Sequence, residues 1–207
     1  KLLSLGGSHQ INSLSNDSFY GDLSAILIQN LPFWIQLFRT PERSIALMDE
    51  WEEKIEKMAQ ATVNENVTNI AGVPSWTLVL LNRILQMSGK KDLTEVWPNL
   101  ELFVHGAVSF TPYRQQFKTL IPKADMYYLE TYNASEGFFG IQDQLRSEEM
   151  LLMLDYGIYY EFLPMSEWEK EHPQTITLDQ VELNENYAIV ITTNAGLWRY
   201  KIGDTVM

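Results

Sequence analysis

Leu100-Glu101-Leu102-Phe103-Val104-His105-Gly106-Ala107, then residues 112–120, then Ala124-Asp125-Met126-Tyr127-Tyr128-Leu129-Glu130-Thr131, decide how this chain folds. The first run is a short apolar strand closed by a Gly-Ala turn. Pro112 opens a helical stretch, and the third run is another strand. Strand, helix, strand in so little chain is the signature of a parallel sheet with helices on its faces. The same alternation extends upstream. Residues 1–5 form a strand ending at Gly6-Gly7, and residues 22–31 carry Leu23, Ile26, Leu27 and Leu31 at helical spacing until Pro32 stops them. Pro41 opens a long helix with Leu47, Met48, Trp51, Ile55 and Met58 on one face. Glu50, Glu53, Lys54 and Lys57 make its other face, read as solvated. Residues 69–73 are a strand, and residues 76–87, apolar nearly all round and closed by Ser88-Gly89, a deeply buried helix. Residues 93–97 form a short helix ended by Pro98. Residues 12–17, rich in Asn and Ser, read as loop.

Beyond residue 150 the pattern changes. Residues 151–156, 159–163, 187–193 and 197–201 read as strands with an acidic linker at 164–173, an antiparallel β portion following the α/β portion. The fold class is therefore α/β: a mixed, largely parallel sheet flanked by helices, then antiparallel β. Residues 1–150 and 151–207 are expected as two portions of one domain.

Composition narrows the function. Fifteen Lys and Arg against 27 Asp and Glu leave a net charge of −12, the wrong sign for a nucleic-acid binder. With no cysteine there is no disulfide framework and no thiolate metal site, which fits a reducing, cytoplasmic setting. His9, His105 and His172 are too scattered to form a metal cluster. No apolar run approaches the ~18 residues that span a bilayer, so no membrane partner is expected.

Two stretches carry chemistry. Thr131-Tyr132-Asn133-Ala134-Ser135-Glu136-Gly137-Phe138-Phe139-Gly140-Ile141 follows an expected parallel strand, where ligands of open α/β sheets bind. Its small residues let a large ligand approach the backbone, Ser135 offers a hydroxyl to a phosphate, and Glu136 offers a hard oxygen to Mg²⁺. The same segment also reads as a plain turn between strands, capped by Ser135 and Glu136. Leu197-Trp198-Arg199-Tyr200-Lys201-Ile202-Gly203-Asp204 places a carboxylate after a glycine at a strand end. Asp204 suits the two hydroxyls of a ribose, or equally an ordinary turn. Ser135 is not in a Gly-x-Ser-x-Gly elbow, since Asn133 replaces the first glycine, so a hydrolase is not expected. No glycine-rich phosphate loop with a lysine is present.

Taken in order, the two stretches resemble the second and third nucleotide motifs of the auxin-responsive-promoter (Gretchen Hagen) family of acyl-acid amido synthetases, within the adenylate-forming superfamily. Tyr132 to Glu136 with Phe139-Gly140-Ile141 match the second, and Trp198 to Asp204 the third, with Trp198 in the first aromatic place. His105-Gly106-Ala107-Val108 is similar to the family's adenine-side loop, and Gly72-Val73-Pro74-Ser75-Trp76 to a segment of bacterial members. The resemblance implies part of the large N-terminal domain of an ATP- and Mg²⁺-using ligase, acting on a small carboxylic acid and an amine or amino acid. It implies Glu136 on Mg²⁺, Ser135 at the α-phosphate, Tyr132, Gly106 and Ala107 beside adenine, and Asp204 on the ribose. Val73, Trp76 and Phe139 would line the acyl pocket or simply pack. The family's first, phosphate-loop motif and its C-terminal lid are not matched, so the chain is expected to be a central fragment, inactive alone. A non-catalytic nucleotide- or acyl-binding module and an adenylating ligase with another acceptor such as CoA remain as alternatives.

Overall fold

The computed structural model describes residues 1–7, 11–15, 18–145 and 147–207; His9 and Asp17 lie outside them. The elements run β1 (Leu2–Leu5), β2 (Ile11–Ser15), β3 (Ser18–Gly21), α1 (Leu23–Gln29), β4 (Arg39–Thr40), α2 (Arg43–Ala46), α3 (Trp51–Thr62), β5 (Asn69–Gly72), α4 (Pro74–Ser88) and α5 (Leu93–Val96). They continue with β6 (Leu102–Gly106), α6 (Arg114–Leu120), β7 (Tyr127–Ala134), β8 (Gly137–Ile141), β9 (Leu151–Leu152), β10 (Ile158–Pro164), β11 (Tyr187–Thr193) and β12 (Tyr200–Val206). The chain divides into two compact units: Lys1–Ser135 with Gly140–Leu151, and Glu136–Phe139 with Leu152–Met207.

In the first unit the strand–helix–strand reading holds. The sheet has the order β4-β1-β5-β6-β7-β8-β9, and β1/β4, β1/β5, β5/β6 and β6/β7 pair in parallel. The register aligns the carboxyl ends: Leu5 faces Gly72, Gly72 faces His105, and Gly106 faces Thr131. Helix α4 starts with Pro74 in its first turn and ends at Gly89, whose φ of 64° is the left-handed cap that glycine takes most easily. Its Leu80, Leu81 and Ile84 are buried with Leu3, Ile70 and Phe103 in one core. Each such side chain contributes about 1.5–3 kcal/mol by leaving water.

Local departures have local causes. The long helix expected from Pro41 is two helices. Leu47 closes α2, and Glu50, in extended backbone, restarts the chain by accepting the N–H of Glu53 into its side chain. Helix α4 is not buried all round: Trp76 and Val79 are exposed. The expected loop at 12–17 is instead the paired hairpin β2/β3, with Asn12 opposite Tyr20 and Ser13 opposite Phe19. Strand pairing outweighs the weak strand preference of Asn and Ser there.

The second unit contains an antiparallel sheet, β10-β11-β12. Strand β11 is buried along almost its whole length. The strand expected at 151–156 shrinks to β9, because the chain turns before Gly157, whose φ is 74°. The last strand starts at Tyr200 rather than 197 and runs through Asp204 to Val206.

Candidate active site

Four parallel strands end side by side in the first unit, and a cleft of about 470 Å³ opens there. Such a position is where open α/β sheets hold ligands. Gly6-Gly7 beyond β1, Val73 beyond β5, Gly106-Ala107 at β6 and Asn133 to Ser135 at the end of β7 form its rim. Trp76 comes from α4, and Asp22 and Ser24 from the start of α1. The cleft thus brings together Gly106, Ala107, Ser135, Val73 and Trp76 from the sequence reading.

The rim is fixed by close backbone approaches. A Cβ on Gly106 would stand 2.5 Å from the carbonyl oxygen of Thr131, so no larger residue lets β6 and β7 end this close. The Thr131 hydroxyl donates to the carbonyl of His105 at 3.2 Å, and Ala107 turns the chain with φ of 70°. At the β1 end, Gly7 N–H donates to Ser24 Oγ at 2.7 Å. Ser24 Oγ in turn donates to Asp22, which also caps α1 by accepting from Ala25 N–H at 3.0 Å.

Lys54 corrects the sequence reading. Its side chain is not on a solvated face but is 1% exposed. Its ammonium donates to the carbonyls of Gly6 at 2.9 Å and Gly7 at 2.7 Å. Burial pushes its pKa down, while the charges of Asp22 and Asp49 act the other way. The signal was available: Lys54 lies three residues after Trp51 and four before Met58, on the apolar stripe. His105 was also missed as a structural group. It is 3% exposed, stacks on Phe110 at 4.1 Å, and leaves Nδ1 without a hydrogen-bond partner among the described residues. Burial first, and the nearby Arg114 charge second, push its pKa down to about 4.

Tyr132 is half-buried on β7. Ser135 and Glu136 form the turn that joins β7 to β8, Ser135 exposed and Glu136 half-buried. Glu136, Phe139 and Asp204 belong to the second unit. Phe139 is fully buried, edge-on to Tyr160 at 6.4 Å. Asp204 is exposed and does not sit in a turn. It lies in a bulge of β12, where Ile202, Gly203 and Asp204 oppose Ile189 alone, between the pairs Val190–Lys201 and Ala188–Thr205. Gly203 accommodates this with φ of 103°. Arg199, just upstream, donates from Nε to Glu161 at 3.1 Å and from Nη2 to Thr175 Oγ1 at 3.0 Å. Among the described residues no group of three or more His, Asp or Glu is assembled as a metal cage.

Comparison with known proteins gives a consistent family. Residues 6–126 match the GH3 family N-terminal domain and residues 151–207 the GH3 family central domain. Indole-3-acetic acid-amido synthetase GH3.3 of Arabidopsis thaliana is 28% identical over 177 residues, covering 76% of this chain and 29% of its own length. Jasmonoyl--L-amino acid synthetase JAR4 of Nicotiana attenuata is 31% identical over 140 residues, covering 64% of this chain and 24% of its own. The chain therefore spans less than a third of the curated relatives it matches. The solved GH3.15 acyl acid amido synthetase superposes with a TM-score of 0.71 over 99% of this chain and 45% of its own, at 14% identity. Its complex with 2,4-DB gives 0.75 over the same share of this chain and 44% of its own, also at 14%. At that identity the likeness speaks to the fold.

Proposed function

The chain belongs to the GH3 family, and from that premise we propose that the whole protein adenylates a carboxylic acid with ATP and transfers the acyl group to an amine, with an amino acid as the expected acceptor. The acid's oxygen attacks the α-phosphorus and releases pyrophosphate. The amine then attacks the acyl carbon and AMP leaves. The observation that carries this reading is the strand-end cleft, where Gly106, Ala107 and Ser135 from the motifs meet Val73 and Trp76. Its volume falls within the ~300–1,000 Å³ of small-molecule sites.

The residues present fit the groups this reaction needs. Gly106, packed against the Thr131 backbone, and Ala107, which carries the chain away in a left-handed turn, form the stretch of rim assigned to a flat base. Ser135 presents its hydroxyl at an exposed turn, suited to a phosphate oxygen. Glu136 offers one carboxylate, which matches Mg²⁺ held mainly by phosphate oxygens and waters. Mg²⁺ supplies charge neutralisation at the phosphates when bound. Tyr132 beside adenine and Asp204 on the ribose are assigned from motif order. Val73 and Trp76 are assigned to the acid, and Phe139, buried beside Tyr160, to packing. None of these side chains serves as nucleophile or general base; they orient the reactants and the charge.

The test is acid-dependent exchange of pyrophosphate into ATP, with Glu136→Gln in the full-length protein. We expect exchange with at least one carboxylic acid and a loss of ~10²-fold or more in the variant, the scale of removing a transition-state charge partner. Exchange at the normal rate in the variant overturns the metal role. ATP binding with no exchange for any acid leaves a nucleotide-binding module instead.

A further inference from the structure

Arg199 directly precedes β12 and holds left-handed backbone, with φ of 45°. A residue with a Cβ takes that conformation at a cost and keeps it only where its surroundings fix it. Three groups fix Arg199. Its backbone N–H donates to Thr192 Oγ1 at 3.0 Å. Its guanidinium grips Glu161 with two nitrogens, Nε to Oε2 at 3.1 Å and Nη2 to Oε1 at 3.1 Å. Nη2 also donates to Thr175 Oγ1 at 3.0 Å, and that hydroxyl donates to Glu161 at 2.6 Å. A planar fork on a carboxylate sets direction as well as distance.

The grip spans the second unit's sheet. Glu161 on β10 pairs with Val190 on β11, and Val190 pairs with Lys201 on β12. Arg199 therefore reaches past β11 to the far strand. Stability is a poor account of this arrangement, because the Arg199 side chain is 61% exposed and ion pairs so exposed contribute little. What the grip supplies is register. Residues 194–199 join β11 to β12, with Gly196 at φ of 106°, and so long a connection leaves the start of β12 open. With Arg199 pinned, Tyr200 meets Ile191 and Lys201 meets Val190, and the bulge that carries Asp204 follows from that start. A slip of one residue would turn the side chains of the strand to the other face, Asp204 included.

We propose that Arg199, through its grip on Glu161, is a positioning residue that sets the face of the sheet on which Asp204 presents its carboxylate to the ribose of ATP. This role rests on the reading that Asp204 holds the ribose, and it names the residue that keeps Asp204 in place.

Calorimetric titration of the full-length protein with MgATP and with the magnesium salt of 2′,3′-dideoxy-ATP tests it, because the second nucleotide lacks the hydroxyls that Asp204 binds. The unaltered protein is expected to bind ATP at least about tenfold tighter than the dideoxy form. Asp204→Ala should remove most of that preference by weakening ATP alone. Arg199→Gln should do the same and leave the affinity for dideoxy-ATP as it was. The double variant should bind ATP no worse than Asp204→Ala, since both changes act through one contact. Arg199 is largely exposed, so its variant is expected to keep the thermal midpoint. Glu161→Gln breaks the same grip from its other end and should repeat the result. If ATP and dideoxy-ATP bind the unaltered protein equally, or if the preference survives Asp204→Ala, the ribose reading fails and the role of Arg199 fails with it. If Asp204→Ala abolishes the preference while Arg199→Gln and Glu161→Gln keep it, the ribose reading stands and the role of Arg199 is overturned. It is overturned too if Arg199→Gln weakens both nucleotides alike, as a purely structural residue would.

Discussion

His105 is where burial meets protonation. The imidazole sits among Phe103, Phe110 and the Arg114 guanidinium, and its pKa is pushed from 6.5 to about 4. The unfolded chain takes up this proton near pH 6.5, the folded chain only near pH 4. Between those values the unfolded state holds more protons, so stability is complete above pH 6.5 and is lost as pH falls towards 4. At 1.36 kcal/mol per pH unit the loss is capped at about 3 kcal/mol. Urea unfolding at pH 7, 5.5 and 4 measures it. His105→Phe, which keeps the aromatic packing, should flatten that part of the pH dependence relative to the unaltered chain. Identical pH profiles for the two proteins rule out a buried neutral His105. Nothing in the neighbouring sequence announces this behaviour. His105 alternates with Phe103 on the buried face of β6, so its burial was legible, but that Nδ1 finds no partner among the described residues depends on what α6 and β7 bring in.

Helix α3 shows the same division within an element. Its start is set locally by the Glu50 cap and its core face by Ile55, Met58 and Ala59. What it does for the cleft depends on Lys54, which holds the Gly6-Gly7 carbonyls from behind. Lys54→Met keeps the length and removes the donors. Two buried acceptors then lose a charged partner, while the cost of burying the charge is recovered. The net expectation is a destabilisation of about 1–3 kcal/mol, read as a lower urea midpoint at pH 7. A midpoint unchanged or raised shows that the buried charge costs more than its hydrogen bonds contribute. Strand β12 is a second case. The aromatic run before Gly203 marked a strand, but the pairing with β11 decided that Asp204 lies in a bulge rather than after the strand's end.

For the whole molecule, the charge of −12 is a distributed repulsion rather than a site. Among the described residues the ion pairs found are mostly at the surface. Salt should therefore stabilise the fold. Raising NaCl from ~10 to ~300 mM shortens the screening length to below about 10 Å. An expected gain of roughly 1 kcal/mol corresponds to about 2–4 °C in the thermal midpoint. A midpoint that falls with salt shows that paired charges outweigh the repulsion. Among the described residues no helix is long and apolar enough to cross a membrane.

Strand–helix alternation, the ends of α4 at Pro74 and Gly89, and the order of the two motifs were determined by the sequence by itself. Each is written in neighbouring residues or in a short period, and local backbone preference suffices to read it. The meeting of Gly106, Ala107, Ser135, Val73 and Trp76 in one cleft was decided only by the tertiary structure. It depends on the register of four parallel strands whose residues lie far apart in the chain. The burial of Lys54 and of His105, whose Nδ1 has no partner among the described residues, was decided there too. A buried charge or an unmet hydrogen bond is a property of what surrounds a side chain, and those surroundings exist only once distant segments have packed.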